Sequence, residues 1–278
     1  MFYYQFFVSI YLNLLICSNR IMGDEHFIKE ALKEVHEKIQ RAANNRPDNL
    51  QYIIPRLVAV SKTKPVELIV EAYKEGQRHF GENYVQELIA KASDKSILDN
   101  CPDIKWHFIG HLQKNKISKV IAIPNLYIVE TIHSSRLATS LNENWPKHHP
   151  NETLNVYVQV NTSDEDEKNG IAPTEAPSLA KFIIENCPNL KFRGIMTIGK
   201  YGYDISQGPN PDFLLLVKCK DDLCRELELP ADQVELSMGM SSDYDHAIEL
   251  GSTNVRVGTS IFGYRERKVK NKDAGDQK

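Results

Sequence analysis

Eight short apolar segments alternate with helical segments along most of the chain, and this alternation constrains the fold more than any other feature. Apolar runs and β-branched residues predict strands at Leu57–Val60, His79–Glu82, Ile104–Ile109, Leu126–Val129, Leu154–Val160, Phe192–Ile198, Val234–Ser237 and Asn254–Val257. Strands joined through helices run parallel, and eight such units predict a closed (β/α)8 TIM barrel. The 278 residues lie close to the roughly 250 that one such barrel requires.

Helical spacing of apolar residues places one helix before the first strand and one after each of the first seven strands. We expect these helices at Glu25–Ala43, Val66–Tyr73, Tyr84–Lys91, within 110–121, and at Ser134–Leu141, Ala176–Cys187, Asp212–Leu229 and Asp243–Leu250. The chain is therefore predicted to be α/β throughout, with a single barrel domain.

Three parts of the chain differ in composition. Residues 1–21 form an apolar, aromatic extension that is short for a membrane span and lacks the basic residues expected before the apolar region of a signal peptide. We expect this extension to be either spurious or removed, because Met22 begins an ordinary hydrophilic amino terminus. The barrel then occupies residues 22–264, and residues 265–278 form a charged tail. We expect a cytoplasmic location, although the extension leaves a mitochondrial one open.

Charge and cysteine content argue against several classes of function. With 34 Lys plus Arg and 37 Asp plus Glu, the formal net charge is −3, so no basic field favours nucleic acid. The five cysteines are scattered and lack the spacing of a metal site. We therefore expect reduced thiols, no metal, no nucleic-acid partner and no stable insertion into a membrane, and we expect a monomer.

Lys62 stands at the carboxyl end of the first predicted strand, within RLVAVSKTKP. Barrels of this kind place their chemistry at the carboxyl ends of their strands. A partly desolvated lysine there has a lowered pKa and attacks carbonyl groups to form a Schiff base. The alternative, that Lys62 simply ends the strand and points into water, stays open on this stretch alone.

The loops after strands seven and eight form the usual phosphate site of a TIM barrel. Here they are SMGMSSD and VRVGTS, which offer the hydroxyls of Ser237, Ser241 and Thr259 and close backbone approach at Gly258. A helix beginning near Ser242 would add amide hydrogens. Either loop alone is equally explained by a helix cap and a turn, but the two together favour a phosphate.

Arg256 interrupts an apolar strand two residues before Gly258. An unpaired buried guanidinium is costly, so Arg256 either forms an ion pair or faces a ligand. If a pyridine ring lies above the barrel with its aldehyde at Lys62 and its phosphate at Gly258, Arg256 donates to the ring nitrogen. The ring nitrogen then stays unprotonated, and the ring is a weak electron sink.

The chain resembles the pyridoxal phosphate homeostasis proteins, also called proline synthetase co-transcribed homologs, from about residue 56 to residue 263. The blocks that carry the resemblance are RLVAVSKTKP, HFGENYVQEL, WHFIGHLQKNK, NTSDEDEKNG, RGIMTIG, SQGPNPDF and VELSMGMSSDYDHAIELGSTNVRVGTSIFG. The family is similar in fold to the N-terminal domain of alanine racemase. The resemblance implies that Lys62 binds pyridoxal 5′-phosphate covalently, as an aldimine. The other cofactor-binding residues that it implies are Asn83, His107, Ser237, Ser241, Arg256, Gly258 and Thr259.

The function that we expect is binding of pyridoxal phosphate for the intracellular homeostasis of this vitamin B6 cofactor. Under this reading the protein buffers the cofactor or delivers it to apoenzymes that depend on it, without strong catalysis of its own. A weak pyridoxal-phosphate-dependent amino-acid racemase is the first alternative. A Schiff-base aldolase acting on a sugar phosphate is the second, since it would need Lys62 and the phosphate site but no bound chromophore.

Overall fold

Eight parallel strands close into a barrel in sequence order, as the alternation of segments predicts. The computed structural model describes residues 27–47, 50 and 53–264. Neighbouring strands pair in parallel, and the last strand returns to pair with the first. The strands are β1 Arg56–Val60, β2 His79–Glu82, β3 Lys105–Phe108, β4 Leu126–Ile132, β5 Leu154–Gln159, β6 Leu190–Met196, β7 Glu235–Ser237 and β8 Asn254–Val257. The predicted extension, 1–21, and tail, 265–278, lie outside the described residues.

Helices cover the outside of the barrel. They are α1 over residues 27–44, α2 Val66–Lys74, α3 Val85–Ala92, α4 Lys95–Asn100, α5 Ile117–Ile121, α6 Ser135–Asn144, α7 Ala176–Asn186, α8 Pro211–Glu226, α9 Tyr244–Glu249 and α10 Thr259–Phe262. Helix α1 packs beside α9, where Lys38 forms a 2.9 Å ion pair with Asp245. In the part of the chain that the structure describes, no helix is both long enough and apolar enough to cross a membrane.

Several predicted boundaries need correction. Strand β4 continues to Ile132 rather than ending at Val129, and β6 begins and ends two residues earlier than predicted. Parallel pairing explains the shift of β6, because Leu190 pairs with Leu154 at the start of β5. Helix α8 ends at Glu226, and Leu227 then caps it. Helices α4 and α10 were not predicted.

The apolar core has two parts. The larger part fills the space between the helices and the outer face of the barrel. A smaller cluster of Ile128, Tyr157 and Met196 lies apart from the larger one, and its members come from β4, β5 and β6. The four cysteines in the described part, Cys101, Cys187, Cys219 and Cys224, are buried free thiols.

The base of the barrel, at the amino ends of the strands, is closed by a charged cluster around Glu235. This carboxylate contacts Arg56 at 2.5 Å and Arg193 at 2.6 Å, and it accepts a 2.5 Å hydrogen bond from the Tyr157 hydroxyl. Because Arg56 begins β1 and Glu235 begins β7, the cluster lies at the opposite end of the barrel from the predicted site. Partly buried ion pairs therefore occupy this end of the barrel.

Candidate functional site

A cavity of about 640 Å³ opens at the carboxyl ends of the strands. Its size is within the roughly 300–1,000 Å³ typical of small-molecule sites. Six predicted residues line it: Lys62, Asn83, Ser241, Arg256, Gly258 and Thr259. The structure therefore brings together residues that are up to 197 positions apart, counted from Lys62 to Thr259. The other lining residues are Val60, Ile109, Ile198, Tyr201, Met240, Ser242, Ser260 and Tyr264.

Lys62 lies in the tight turn that follows β1 and is half-buried. The next residue, Thr63, has a φ of 64°, so the backbone turns sharply directly after Lys62. Two residues on, the Lys64 amine donates to the carbonyl oxygens of Phe262 at 2.6 Å and Tyr264 at 3.0 Å. These bonds attach the turn to the end of α10, so Lys62 stands on a restrained segment.

A buried ionic cluster holds the same turn from below. The Lys91 amine lies 2.7 Å from the carboxylates of Glu82 and Glu87 and donates to the Ser61 carbonyl oxygen at 2.7 Å. The Ser61 hydroxyl donates to Glu82 at 2.7 Å, and the Thr63 amide donates to Glu87 at 2.5 Å. The backbone on both sides of Lys62 is therefore bonded to this cluster.

The ionic cluster shifts the acidity of Glu82. Burial raises the pKa of the Glu82 carboxyl, and the charge of Lys91 opposes that shift. Sequence reasoning missed Lys91 and Glu82. A signal exists in α3, because Lys91 shares a face with the buried residues Val85, Leu88 and Ala92. A lysine on the apolar face of a helix indicates a buried partner.

The predicted phosphate loops meet as expected from their positions after β7 and β8. The Gly258 amide donates to the Ser241 hydroxyl at 3.0 Å. A β-carbon on Gly258 would lie 3.0 Å from the Val60 carbonyl oxygen, so a larger residue there would press against the end of β1. Gly239 has a φ of 95°, and a β-carbon there would lie 2.6 Å from that of Ala247. Both glycines thus permit contacts that a larger residue would block.

The backbone before α9 forms local hydrogen bonds, because the amides of Asp243 and Tyr244 donate to the Met240 carbonyl oxygen at 3.0 and 2.9 Å. The helix begins at Tyr244, and Asp243 is its N-cap residue. The Asp243 carboxylate accepts a 2.7 Å hydrogen bond from the Met240 amide. Burial raises the pKa of Asp243. An acidic group therefore occupies this helix end, and the hydroxyl-bearing residues Ser241, Ser242, Thr259 and Ser260 line the cavity there.

Arg256 reaches the cavity from inside the barrel and is 5% exposed. Its Nη1 donates to the Ser237 hydroxyl at 2.6 Å, and its Nη2 donates to the Thr197 carbonyl oxygen at 2.7 Å. Burial lowers the pKa of Arg256, and the charges of Glu130 and Asp243 oppose that shift. The guanidinium is thus fixed in direction by two hydrogen bonds.

Ser237 and His107 lie deeper than the sequence predicts. Both side chains are fully buried, and in the described part of the chain neither lines the cavity. Both point into the barrel, where each is bonded to Glu130: the Ser237 hydroxyl donates to Oε2 at 2.6 Å, and His107 Nδ1 lies 2.6 Å from Oε1. The roles inferred from the sequence, Ser237 as a ligand of the phosphate and His107 as part of the cavity wall, stay predictions.

Glu130 is a third residue that sequence reasoning missed. Burial would raise the pKa of this carboxyl, but the hydrogen bonds and charges of His107, Arg256 and Ser237 together lower it. Burial lowers the pKa of His107, and the hydrogen bond and charge of Glu130 oppose that shift. His107 Nε2 lies 2.8 Å from His79 Nδ1. The sequence did contain a signal for a buried partner, because the acidic Glu130 interrupts the apolar segment LYIVETI.

Asn83 has a polar atom without a partner. Its Oδ1 is buried and accepts no hydrogen bond within the described part of the chain, while the residue lines the cavity. A buried polar atom in this state is costly unless a ligand or water satisfies it. With the amine of Lys62, the guanidinium of Arg256 and several hydroxyls along its lining, the cavity suits an anionic carbonyl compound.

Comparison with known proteins gives a consistent result. Residues 32–266 match the family model described as the alanine racemase N-terminal domain. The chain is 56% identical over 236 residues to the human pyridoxal phosphate homeostasis protein, a match that covers 85% of this chain and 86% of the human one. Over 216 residues it is 51% identical to the protein of the same name from Caenorhabditis elegans, covering 77% and 88% of the two chains.

Solved structures agree with the barrel. PipY of Synechococcus elongatus, solved with PLP bound, is 32% identical with a TM-score of 0.67, and the match covers 85% of this chain and all of that one. An alanine racemase from Clostridium difficile has a TM-score of 0.61 at 16% identity, covering 88% of this chain and 61% of the racemase. The second likeness shows the shared fold alone.

Proposed function

Since the chain belongs to the family of pyridoxal phosphate homeostasis proteins, built on the alanine racemase N-terminal fold, we propose that it buffers or delivers pyridoxal phosphate held covalently at Lys62. The relatives carry this cofactor's name, and PipY was solved with it bound. The observation that carries the assignment to particular residues is the shared cavity of Lys62, Arg256 and the hydroxyls of Ser241 and Thr259.

The residues of the cavity fit this cofactor group by group. When bound, pyridoxal phosphate supplies an aldehyde that condenses reversibly with amines. The Lys62 amine is the matching nucleophile, and the hydroxyls of Ser241, Thr259 and Ser260 suit the phosphate. The absence of a side chain at Gly258 allows β8 to end close to β1 beside the cavity. The unpartnered Asn83 Oδ1 adds an acceptor at the cavity wall.

Arg256 accounts for the weak catalysis that we propose. A guanidinium has five N–H donors and no acceptor, and two of them are used by Ser237 and Thr197. The donors that remain would bond a ring nitrogen without transferring a proton to it, because arginine does not readily deprotonate. An unprotonated ring withdraws electrons poorly, so the site favours storage and exchange of the cofactor over turnover of amino acids.

The test is the visible absorption spectrum, followed by borohydride reduction and peptide mass mapping. We expect a reduced pyridoxyl group on Lys62 and its loss in Lys62→Ala. Lys95→Ala is the matched control, since the side chain of Lys95 is 89% exposed and lies outside the cavity. A protein that binds no pyridoxal phosphate, or that carries the group on other lysines, would contradict the assignment. Conversion of single-enantiomer alanine or serine into its mirror form would instead favour the racemase.

We also propose that a monomer in the cytoplasm passes the cofactor to apoenzymes. The buried free thiols of the described part are usual in a reducing compartment, which supports the cytoplasmic location. Sedimentation would test the monomer. Activation of an apoenzyme by the loaded protein, compared with the same concentration of free pyridoxal phosphate, would test delivery. Activation no faster than by spontaneous release would contradict direct transfer.

A further inference from the structure

We propose that Glu130 is a positioning residue for the cofactor: through the Ser237 hydroxyl it fixes the direction in which Arg256 presents its N–H groups to the cavity. This inference rests on the proposed function, because it concerns the partner of the pyridine nitrogen. Glu130 itself is fully buried and does not line the cavity within the described residues. Its action on the ligand would pass through Arg256.

The partners of the Ser237 hydroxyl fix which of its hydrogen bonds it donates and which it accepts. Its oxygen accepts from Arg256 Nη1 at 2.6 Å and from Asn254 Nδ2 at 3.0 Å. With both lone pairs in use, the single hydroxyl proton is left for Glu130 Oε2 at 2.6 Å. Ser237 can therefore accept from Arg256 in this geometry only while Glu130 accepts from Ser237.

The other carboxylate oxygen is fixed from the opposite side. Glu130 Oε1 accepts from His107 Nδ1 at 2.6 Å and more weakly from Asn254 Nδ2 at 3.3 Å. His107 Nε2 in turn meets His79 Nδ1 at 2.8 Å. Donors thus point at both oxygens, and an acceptor at each position is required. An amide in place of the carboxylate would turn its NH₂ group either towards Ser237, which would then face a donor, or towards His107 Nδ1, which would then have to take the other imidazole tautomer.

The negative charge of Glu130 stabilises the Arg256 guanidinium, in addition to the hydrogen bonds through Ser237. Arg256 has no carboxylate in direct contact among the described residues, and its bonded partners are a hydroxyl and a carbonyl oxygen. Glu130 and Asp243 are the anions whose charges favour the protonated guanidinium. Asp243 is itself bonded to the Met240 amide. Glu130 therefore supplies both a charge and a hydrogen-bond direction, one hydroxyl away from the guanidinium.

Glu130→Gln tests the proposal in the loaded protein. We expect the Lys62 adduct still to form, the absorption maximum of the bound cofactor to shift beyond the spread among wild-type preparations, and affinity to fall by about tenfold, as one charge-assisted hydrogen bond would give. Glu235→Gln is the matched control, because Glu235 is also a carboxylate inside the barrel but belongs to the base cluster. It should reduce stability without moving the spectrum.

A second readout needs no cofactor. In the unloaded protein, the guanidinium N–H signals of Arg256 can be assigned by NMR from their loss in Arg256→Lys. We expect their exchange with water to accelerate by about tenfold in Glu130→Gln, as loss of one hydrogen bond would give, and to stay unchanged in Glu235→Gln. If Glu130→Gln fails to fold, Ser237→Ala removes the connecting hydroxyl and should give the same changes.

The outcomes separate the two proposals. A wild-type protein without a Lys62 adduct would refute the proposed function, while the NMR experiment would still decide whether Glu130 fixes Arg256. A folded Glu130→Gln protein with the wild-type spectrum, affinity and exchange rates would overturn the positioning role. Equal spectral shifts in Glu130→Gln and Glu235→Gln would also overturn it, since they would show a general effect of removing buried charge.

Discussion

Replacing Lys91 with methionine tests whether the ionic cluster beneath Lys62 stabilises the barrel. Methionine nearly matches the length of lysine but removes the charge and the donors. The side chain of Lys91 is 6% exposed and that of Glu82 is 0% exposed, and the amine makes three contacts of 2.7 Å. The substitution would leave the Glu82 carboxylate buried with the Ser61 hydroxyl as its remaining described donor.

The expected loss in the free energy of unfolding is large for one residue of an outer helix. Removing one partner of a buried ion pair costs about 3–5 kcal/mol, whereas an exposed pair contributes about 0.2–1 kcal/mol. Glu82 belongs to the first kind, and its Oε2 already has no hydrogen-bond partner in the described part of the chain. We therefore expect the free energy of unfolding to fall by about 3 kcal/mol at neutral pH or above.

The loss should depend on pH. Burial raises the pKa of Glu82 in the folded protein, and Lys91 opposes that shift, so Lys91→Met should raise it further. A carboxyl with a raised folded pKa binds protons more readily when folded, so its stability penalty appears as pH rises from the unfolded pKa through the folded one. The difference between variant and wild type should thus be smaller at about pH 5 than at about pH 8.

Urea unfolding, followed by circular dichroism at the two pH values, would measure the stability difference between Lys91→Met and the wild type. Lys95→Met is the control, because Lys95 forms an exposed 2.8 Å pair with Asp99. Equal losses in the two variants, or a loss in Lys91→Met that is the same at both pH values, would refute the reasoning. Because Ser61 and Thr63 flank Lys62 and bond to the cluster, we also expect slower formation of the Lys62 adduct in Lys91→Met.

Two further substitutions give separate checks. Ser134→Ala removes the N-cap of α6, where the hydroxyl accepts from the Leu137 amide at 3.2 Å, and should cost about 1 kcal/mol in urea unfolding; no measurable loss would contradict the cap. Gly258→Ala places a β-carbon 3.0 Å from the Val60 carbonyl oxygen, so it should separate β8 from β1 at the cavity and weaken phosphate binding, measured by calorimetry with inorganic phosphate. Unchanged affinity would show that this close approach does not shape the site.

The fold was predictable because apolar segments mark all eight strands. Strands β2 and β8 begin and end at the predicted residues. Helix α4 was missed because it is six residues long and Ile97 is its one buried side chain, with Asp94 as its cap. A segment with a single buried apolar residue shows no helical periodicity in its sequence. The early end predicted for β4 had a different cause: Glu130 interrupts the apolar run, although its side chain is buried inside the barrel.

The site was predictable where residues sit in loops after strands, as at Lys62, Ser241 and Thr259. It was less predictable inside the barrel, because the depth of a side chain depends on the register between strands. Ser237 and Arg256 are both strand residues, yet Arg256 lines the cavity and the shorter Ser237 does not. The Lys91 and Glu130 clusters depend on partners up to 124 positions away, such as Asn254 for Glu130, which a local pattern cannot identify.

The closed base of the barrel has a kinetic consequence for the proposed function. Tyr157, Arg56, Arg193 and Glu235 fill the amino end, so the route to Lys62 in the described structure is the cavity mouth. Pyridoxal phosphate would then enter and leave through the same opening, so binding and release would compete for it. An apoenzyme that takes the cofactor directly would have to dock at this same face, and a surplus of free pyridoxal phosphate would occupy the entrance and slow the handover.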